Sequence, residues 1–125
     1  MNETLTFDNV IQETLALFPE YIQTDHYKHN DPDLVFSFFF GFTSYVMETI
    51  NTASEPESDP LIVQAFQLFN GMIESADSKL SNLGVVEVIE TLVQEKKSKH
   101  IAQKLLRHAG QKYLQEVLKF TGVKD

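Results

Sequence analysis

With 125 residues, no cysteine and a formal net charge of −8, the chain has the size of one domain and no disulfide, thiolate metal site or cysteine nucleophile. Apolar residues at 42% and charged residues at 22% exclude wholesale disorder. The charge is unevenly placed: residues 1–60 hold 11 acids and one base, residues 61–125 hold 7 acids and 9 bases, so the N-terminal half repels nucleic acid and steers basic partners.

The opening stretch MNETLTFDNV has neither a basic run nor a long apolar run. It does not read as a secretory leader, and the expected address is the cytosol. From Phe7 to Phe18 the apolar residues Phe7, Val10, Ile11, Leu15 and Phe18 recur at helical spacing. Thr6 is the expected cap, with Asp8 in the positively polarised first turn. Pro19 stops this helix, and QTDHYKHND (residues 23–31) reads as a polar loop.

A second helix is expected from Asp31-Pro32-Asp33, with Asp31 as N-cap and Pro32 at the first helical position. It contains Phe36, Phe38, Phe39, Phe40 and Phe42, five of the ten phenylalanines. Val35, Phe39, Phe42, Val46 and Ile50 fall on one line, and Phe36, Phe40, Thr43 and Met47 on another. The strip left over is Leu34, Ser37, Gly41, Ser44 and Glu48. Such a helix is apolar around most of its circumference with one small or polar seam, the pattern of a central rod packed on several sides. The interruptions at Ser37, Gly41, Thr43 and Ser44 keep the apolar window short of the ~20 residues that span a bilayer.

NTASEPESDP (residues 51–60) is a loop, and Asp59-Pro60 opens a third helix whose inner face is Leu61, Ile62, Ala65, Phe66, Phe69, Met72 and Ile73. Asp77 and Ser78 cap the chain again before a fourth helix, residues 81–95. Leu83, Val86, Ile89 and Val93 are expected inward there, Glu87, Glu90 and Glu95 largely outward, and Gly84 in close contact with a neighbour. One last helix is expected from Lys99 to Phe120, capped by Ser98 and stopped at Gly122. The fold class is therefore all-α: a single domain over residues 1–125, a bundle of about five helices, mostly antiparallel. The two Asp-Pro helix starts suggest stacked helical hairpins.

None of the chemistry-bearing side chains assembles into a recognised motif. His26 and His29 stand beside Asp25, Asp31 and Asp33, but in a polar loop without a second cluster of ligands. His100 and His108 are eight apart, the wrong spacing for a pair on one helical face. Glu87 and Glu90 share a helix, yet paired surface glutamates need no catalytic explanation. No Gly-rich phosphate loop, GxSxG or HExxH is present. No catalytic residue, metal ligand or cofactor is expected, and the chain reads as a binding protein rather than an enzyme.

Lys96, Lys97, Lys99, Lys104, Arg107, Lys112 and Lys119 crowd the last helix. With a single arginine in an acidic chain, this helix reads as matching the N-terminal acids rather than as a nucleic-acid surface. Asp25, Asp31, Asp33, Glu55, Glu57 and Asp59 are the expected partner-binding residues, a negative surface for a basic protein. The phenylalanine cluster reads as core. A homodimer interface or an apolar-ligand groove remain the alternatives there.

The order LFPEY, a phenylalanine-rich helix, then FQLFNGMIESADSKLSNLGVVEVIETL resembles a group of small bacterial all-helical proteins of uncharacterised function. Its most specific parts are Phe66 to Glu74, Asp77, and Asn82 to Leu92. The resemblance implies a helical domain with an immunity role, neutralising a toxin made by the same or a neighbouring cell; the acids of residues 25–33 and 55–59 add the expectation that an acidic surface covers the toxin's basic cleft, such as that of a nuclease. The resemblance carries over no site residues.

Overall fold

The computed structural model describes residues 4–121, and every regular element in that span is helical. In chain order they are α1 (Val10–Leu17), a 3₁₀ turn (Pro19–Gln23), α2 (Asp25–His29), α3 (Val35–Thr52), a second 3₁₀ turn (Pro56–Ser58), α4 (Pro60–Ile73), α5 (Ser78–Leu83), a π-helical segment (Gly84–Ile89), α6 (Glu90–Leu92), α7 (Lys96–Leu105) and α8 (His108–Thr121). The all-α class stands; the division into about five helices is too coarse.

α3 is the central rod. It packs against α2, α4, the π-helical segment, α6 and α7. Phe38, Phe39, Phe42, Val46 and Ile50 are buried along it. Their rings pack at edge-to-face angles that suit aromatic quadrupoles: Phe38 on Phe39 at 5.1 Å, Phe39 on Phe42 at 6.1 Å, and Phe42 on Phe69 of α4 at 6.0 Å. Two rings of the cluster point elsewhere. Phe36 is 41% exposed and Phe40 49% exposed.

The small seam of α3 has a definite occupant. Tyr21, from the first 3₁₀ turn, and α2 lie along it. An added Cβ at Gly41 would stand 2.8 Å from the Tyr21 hydroxyl, 2.8 Å from Asn30 Nδ2 and 2.9 Å from the His26 carbonyl oxygen. Only glycine allows that approach. The stretch 23–31 is thus not a plain loop. It holds α2, whose Thr24 hydroxyl accepts the Tyr27 N–H at 3.2 Å as an N-cap.

Helix starts differ in an instructive way. Asp59 caps α4 as its sequence indicates, accepting from the N–H groups of Leu61 (3.0 Å) and Ile62 (3.3 Å) with Pro60 at the first position. Asp77 caps α5 likewise and also accepts from the Phe7 N–H at 2.9 Å. Asp31 does not cap α3. It accepts from the Asp33 N–H at 2.9 Å, and its carbonyl accepts from Leu34 N–H at 3.2 Å, so Asp31–Leu34 close a turn before the helix begins at Val35. At the N-terminus Thr6 and Asn9 exchange bonds, Thr6 N–H to Asn9 Oδ1 (2.8 Å) and Asn9 N–H to Thr6 Oγ1 (3.2 Å), and α1 starts only at Val10.

The fourth expected helix contains a π-helical segment. Its wider turn resets the apolar register, so Val88 and Leu92 join Leu83, Ile89 and Val93 in the core while Val86 stays half-buried. Gly84 does touch a neighbour: its added Cβ would meet Ile73 Cγ1 at 2.8 Å. The last expected helix is two. The backbone is extended at Leu106 (φ −72°, ψ 140°), and the buried Asn70 side chain holds the break, donating to the Leu105 carbonyl (3.2 Å) and accepting the Arg107 N–H (2.8 Å). Gln111 Nε2 then donates to the carbonyls of Gln103 and Leu106, both at 2.8 Å, satisfying the end of α7. Ser98 lies inside α7, buried, donating to the Leu92 carbonyl at 2.6 Å rather than capping a helix. Phe120, expected on the inner face, is 93% exposed, and the expected stop at Gly122 falls outside the described residues.

Two substitutions check this packing by chemical denaturation. Phe39→Ala, at a site with no exposure, should lower stability by about 3–5 kcal/mol, against less than about 0.5 kcal/mol for Phe40→Ala. Gly41→Ala should cost about 1–3 kcal/mol by overpacking, although alanine is the better helix former; a gain in stability would show that the Tyr21–α2 layer does not press on α3.

Candidate functional site

Five of the six expected partner-binding acids fall into two groups. Asp31 and Asp33 stand just before α3, while Glu55, Glu57 and Asp59 follow its far end. Eighteen residues separate the ends, ~27 Å at the helical rise. Asp25 opens α2 and is exposed. Asp31 and Asp59 are also engaged by the backbone bonds described above. Glu57 pairs with Lys104 at 2.9 Å, an instance of the charge matching between the acidic half and the basic helices. Side chains half exposed on both partners make this pair worth little stability.

Between these groups the fold assembles a site that the sequence did not mark. Leu17, Phe18, Pro19, Glu20, Tyr21, Tyr45, Pro60, Leu61 and Gln64 line a groove of about 250 Å³. It forms because Pro19 ends α1 and turns the chain across α3, while the Asp59 cap sets the start of α4 on the other side. Phe18 and Tyr21 are buried there, whereas Leu17 is exposed. The Tyr45 ring packs on Tyr21 at 5.2 Å and lies 6.2 Å from the His26 ring. On the neighbouring strip of α3, His26, Ser44, Met47, Glu48, Asn51 and Glu95 line a second recess of about 290 Å³. His26 Nε2 stands 3.6 Å from Glu48 Oε1 across it, and Asn51 Nδ2 donates to Glu95 Oε1 at 3.0 Å.

Burial raises the Tyr45 phenol above the ordinary tyrosine range, and the charges of Glu20, Glu48 and Asp59 push it in the same direction. Three carboxylates from three different elements therefore act on one half-buried aromatic hydroxyl. Of these only Asp59 stood out in the sequence, and Glu48 only as part of the seam. Glu20 and Tyr45 gave no local signal, because their meeting depends on how the Pro19 turn crosses α3. Elsewhere, burial and then the Glu90 charge raise Glu87, but no described groove contains it.

Among the described residues no group of three or more histidines, aspartates or glutamates is placed to hold a metal ion, and no helix is long and apolar enough to cross a membrane. Residues 11–122 match the family described as Domain of unknown function (DUF7674). The chain belongs to that family. No curated protein and no solved structure matches it.

The electrostatic reading of the groove has a direct check. In a spectrophotometric titration of the folded protein, Tyr45 should ionise above the ordinary tyrosine value of 10.0. Glu20→Gln should lower its midpoint by removing a repelling charge. Because the folded value is raised, the associated stability is complete below the unfolded tyrosine pKa and is lost as pH rises through the folded one. Alkaline unfolding should accordingly steepen above pH ~10. A Tyr45 midpoint unmoved by Glu20→Gln would place that carboxylate away from the ring.

Proposed function

We propose that this chain is a non-catalytic protein-binding domain, a cytoplasmic immunity-type inhibitor of a toxin in a bacterial cell. The observation that carries the reading is the groove in which Glu20 and Tyr45 stand together, walled by Pro19, Pro60 and Leu61. Tyrosine and other aromatics concentrate binding energy in the centre of interfaces. Acidic groups around them accelerate association with a basic partner and select it. Asp25, Asp31, Asp33, Glu55 and Glu57 extend the negative surface along both ends of α3 and serve as steering charges at the rim. Occlusion of a basic cleft needs no cofactor and no catalytic group.

A second reading rests on a different observation. Phe36 and Phe40 are exposed one helical turn apart near the N-terminal end of α3, an apolar pair suited to self-association of a structural or regulatory adaptor. A mass that rises with concentration in sedimentation would favour it; a strictly monomeric chain favours the inhibitor.

The inhibitor reading is tested against the protein encoded beside this chain. That protein should carry a basic toxin domain, and reversing Glu20, Glu48 and Glu55 to lysine should weaken its capture at least tenfold with helicity unchanged. Reversal of Glu116, exposed on α8, should leave capture intact. Undiminished capture by the triple variant, or a neighbour without toxin activity, would remove the basis of the reading.

A further inference from the structure

We propose that the groove beside Tyr45 is a socket for a single arginine side chain of the partner. The inference rests on the protein-binding reading and names the chemistry recognised. The groove, about 250 Å³, is smaller than the usual pocket for a small-molecule ligand and has room for one long side chain. Its walls are apolar and aromatic: Leu17, Pro19, Tyr45, Pro60 and Leu61. An arginine stem can lie along such a surface, as long cationic side chains do elsewhere.

The charged end also finds its complement. Glu20 lines the groove, and Asp59 directly precedes the lining residue Pro60 in the chain. Both cap bonds of Asp59 run to Oδ1, which leaves Oδ2 outside the cap. No lysine or arginine is among the described lining residues, so no internal cation competes at the spot. Glu48, one helical turn from Tyr45, faces His26 instead and contributes its field rather than a contact. A planar guanidinium uses this arrangement better than an ammonium. It stacks on an aromatic ring and pairs with a carboxylate through two parallel N–H donors, whereas an ammonium is a compact and strongly hydrated point charge. Burial is the larger cause of the raised Tyr45 phenol; the charges of Glu20, Glu48 and Asp59 add to it, and it is this added negative field that attracts a cation.

The test is an NMR titration of the full chain with N-acetyl-arginine methylamide, compared with its neutral isostere N-acetyl-citrulline methylamide. The arginine compound should cause saturable shifts at Glu20, Tyr45, Leu61 and Gln64, with affinity at least fivefold above that of the citrulline compound. Glu20→Gln/Asp59→Asn should reduce that affinity at least fivefold; asparagine caps helices as well as aspartate does, so the fold is kept. Glu20→Gln alone, at an exposed site, should give an intermediate loss. Equal binding of the two compounds, shifts confined to other surfaces, or affinity indifferent to these substitutions would overturn the socket. The two proposals fail separately. Arginine binding without capture of a toxin removes the immunity role alone, and capture without arginine binding removes the socket alone.

Discussion

Everything else in this fold depends on α3 being enclosed on several sides at once. A helix carrying Phe38, Phe39, Phe42, Val46 and Ile50 at no more than a trace of exposure needs neighbours around most of its circumference, and the apolar gain from covering it is the largest favourable contribution available to a chain of this size. Enclosure works only if one side is thin. Gly41 supplies that side, letting the Tyr21 hydroxyl, the Asn30 amide and the His26 carbonyl approach to distances no side chain would permit. The Pro19–Gln23 turn and α2 close the circle there.

The candidate site is a by-product of that closure. Once the chain leaves α1 at Phe18 and crosses α3, Glu20 and Tyr21 must pass Tyr45. Once Asp59 caps α4, Pro60 and Leu61 form the opposite bank. Acidity and aromatic surface thus meet where two helix boundaries meet the central rod.

Much of this architecture was legible in the residues themselves. The phenylalanine periodicity identified the rod, the strip Ser37–Gly41–Ser44 identified its small or polar seam, and the Asp59-Pro60 and Asp77 caps stand where their chemistry puts them. The misses share a cause: tertiary bonds overrode local signals. Asp31-Pro32-Asp33 looks like a helix start, yet Asp31 spends its bonds on a turn. Residues 99–120 are periodic enough for one helix, and the break at Leu106 is dictated by Asn70, more than thirty residues earlier. The π-helical turn after Gly84 likewise shifts a register that a regular helix would keep. The acids of the two loops were visible as charges, but local sequence does not encode that ~27 Å of helix separates them, or that Glu20 and Tyr45 lie between.

Native-state hydrogen exchange measures the enclosure of α3 most directly. If α3 is the rod on which the other helices assemble, the amides of Phe39, Phe42 and Val46 should open only with global unfolding, at the full stability of the protein. The amides of α2 should exchange earlier, because α2 covers the rod without supporting it. Exchange of the central α3 amides as fast as that of the 53–59 loop would contradict the account and, with it, the site built on that helix.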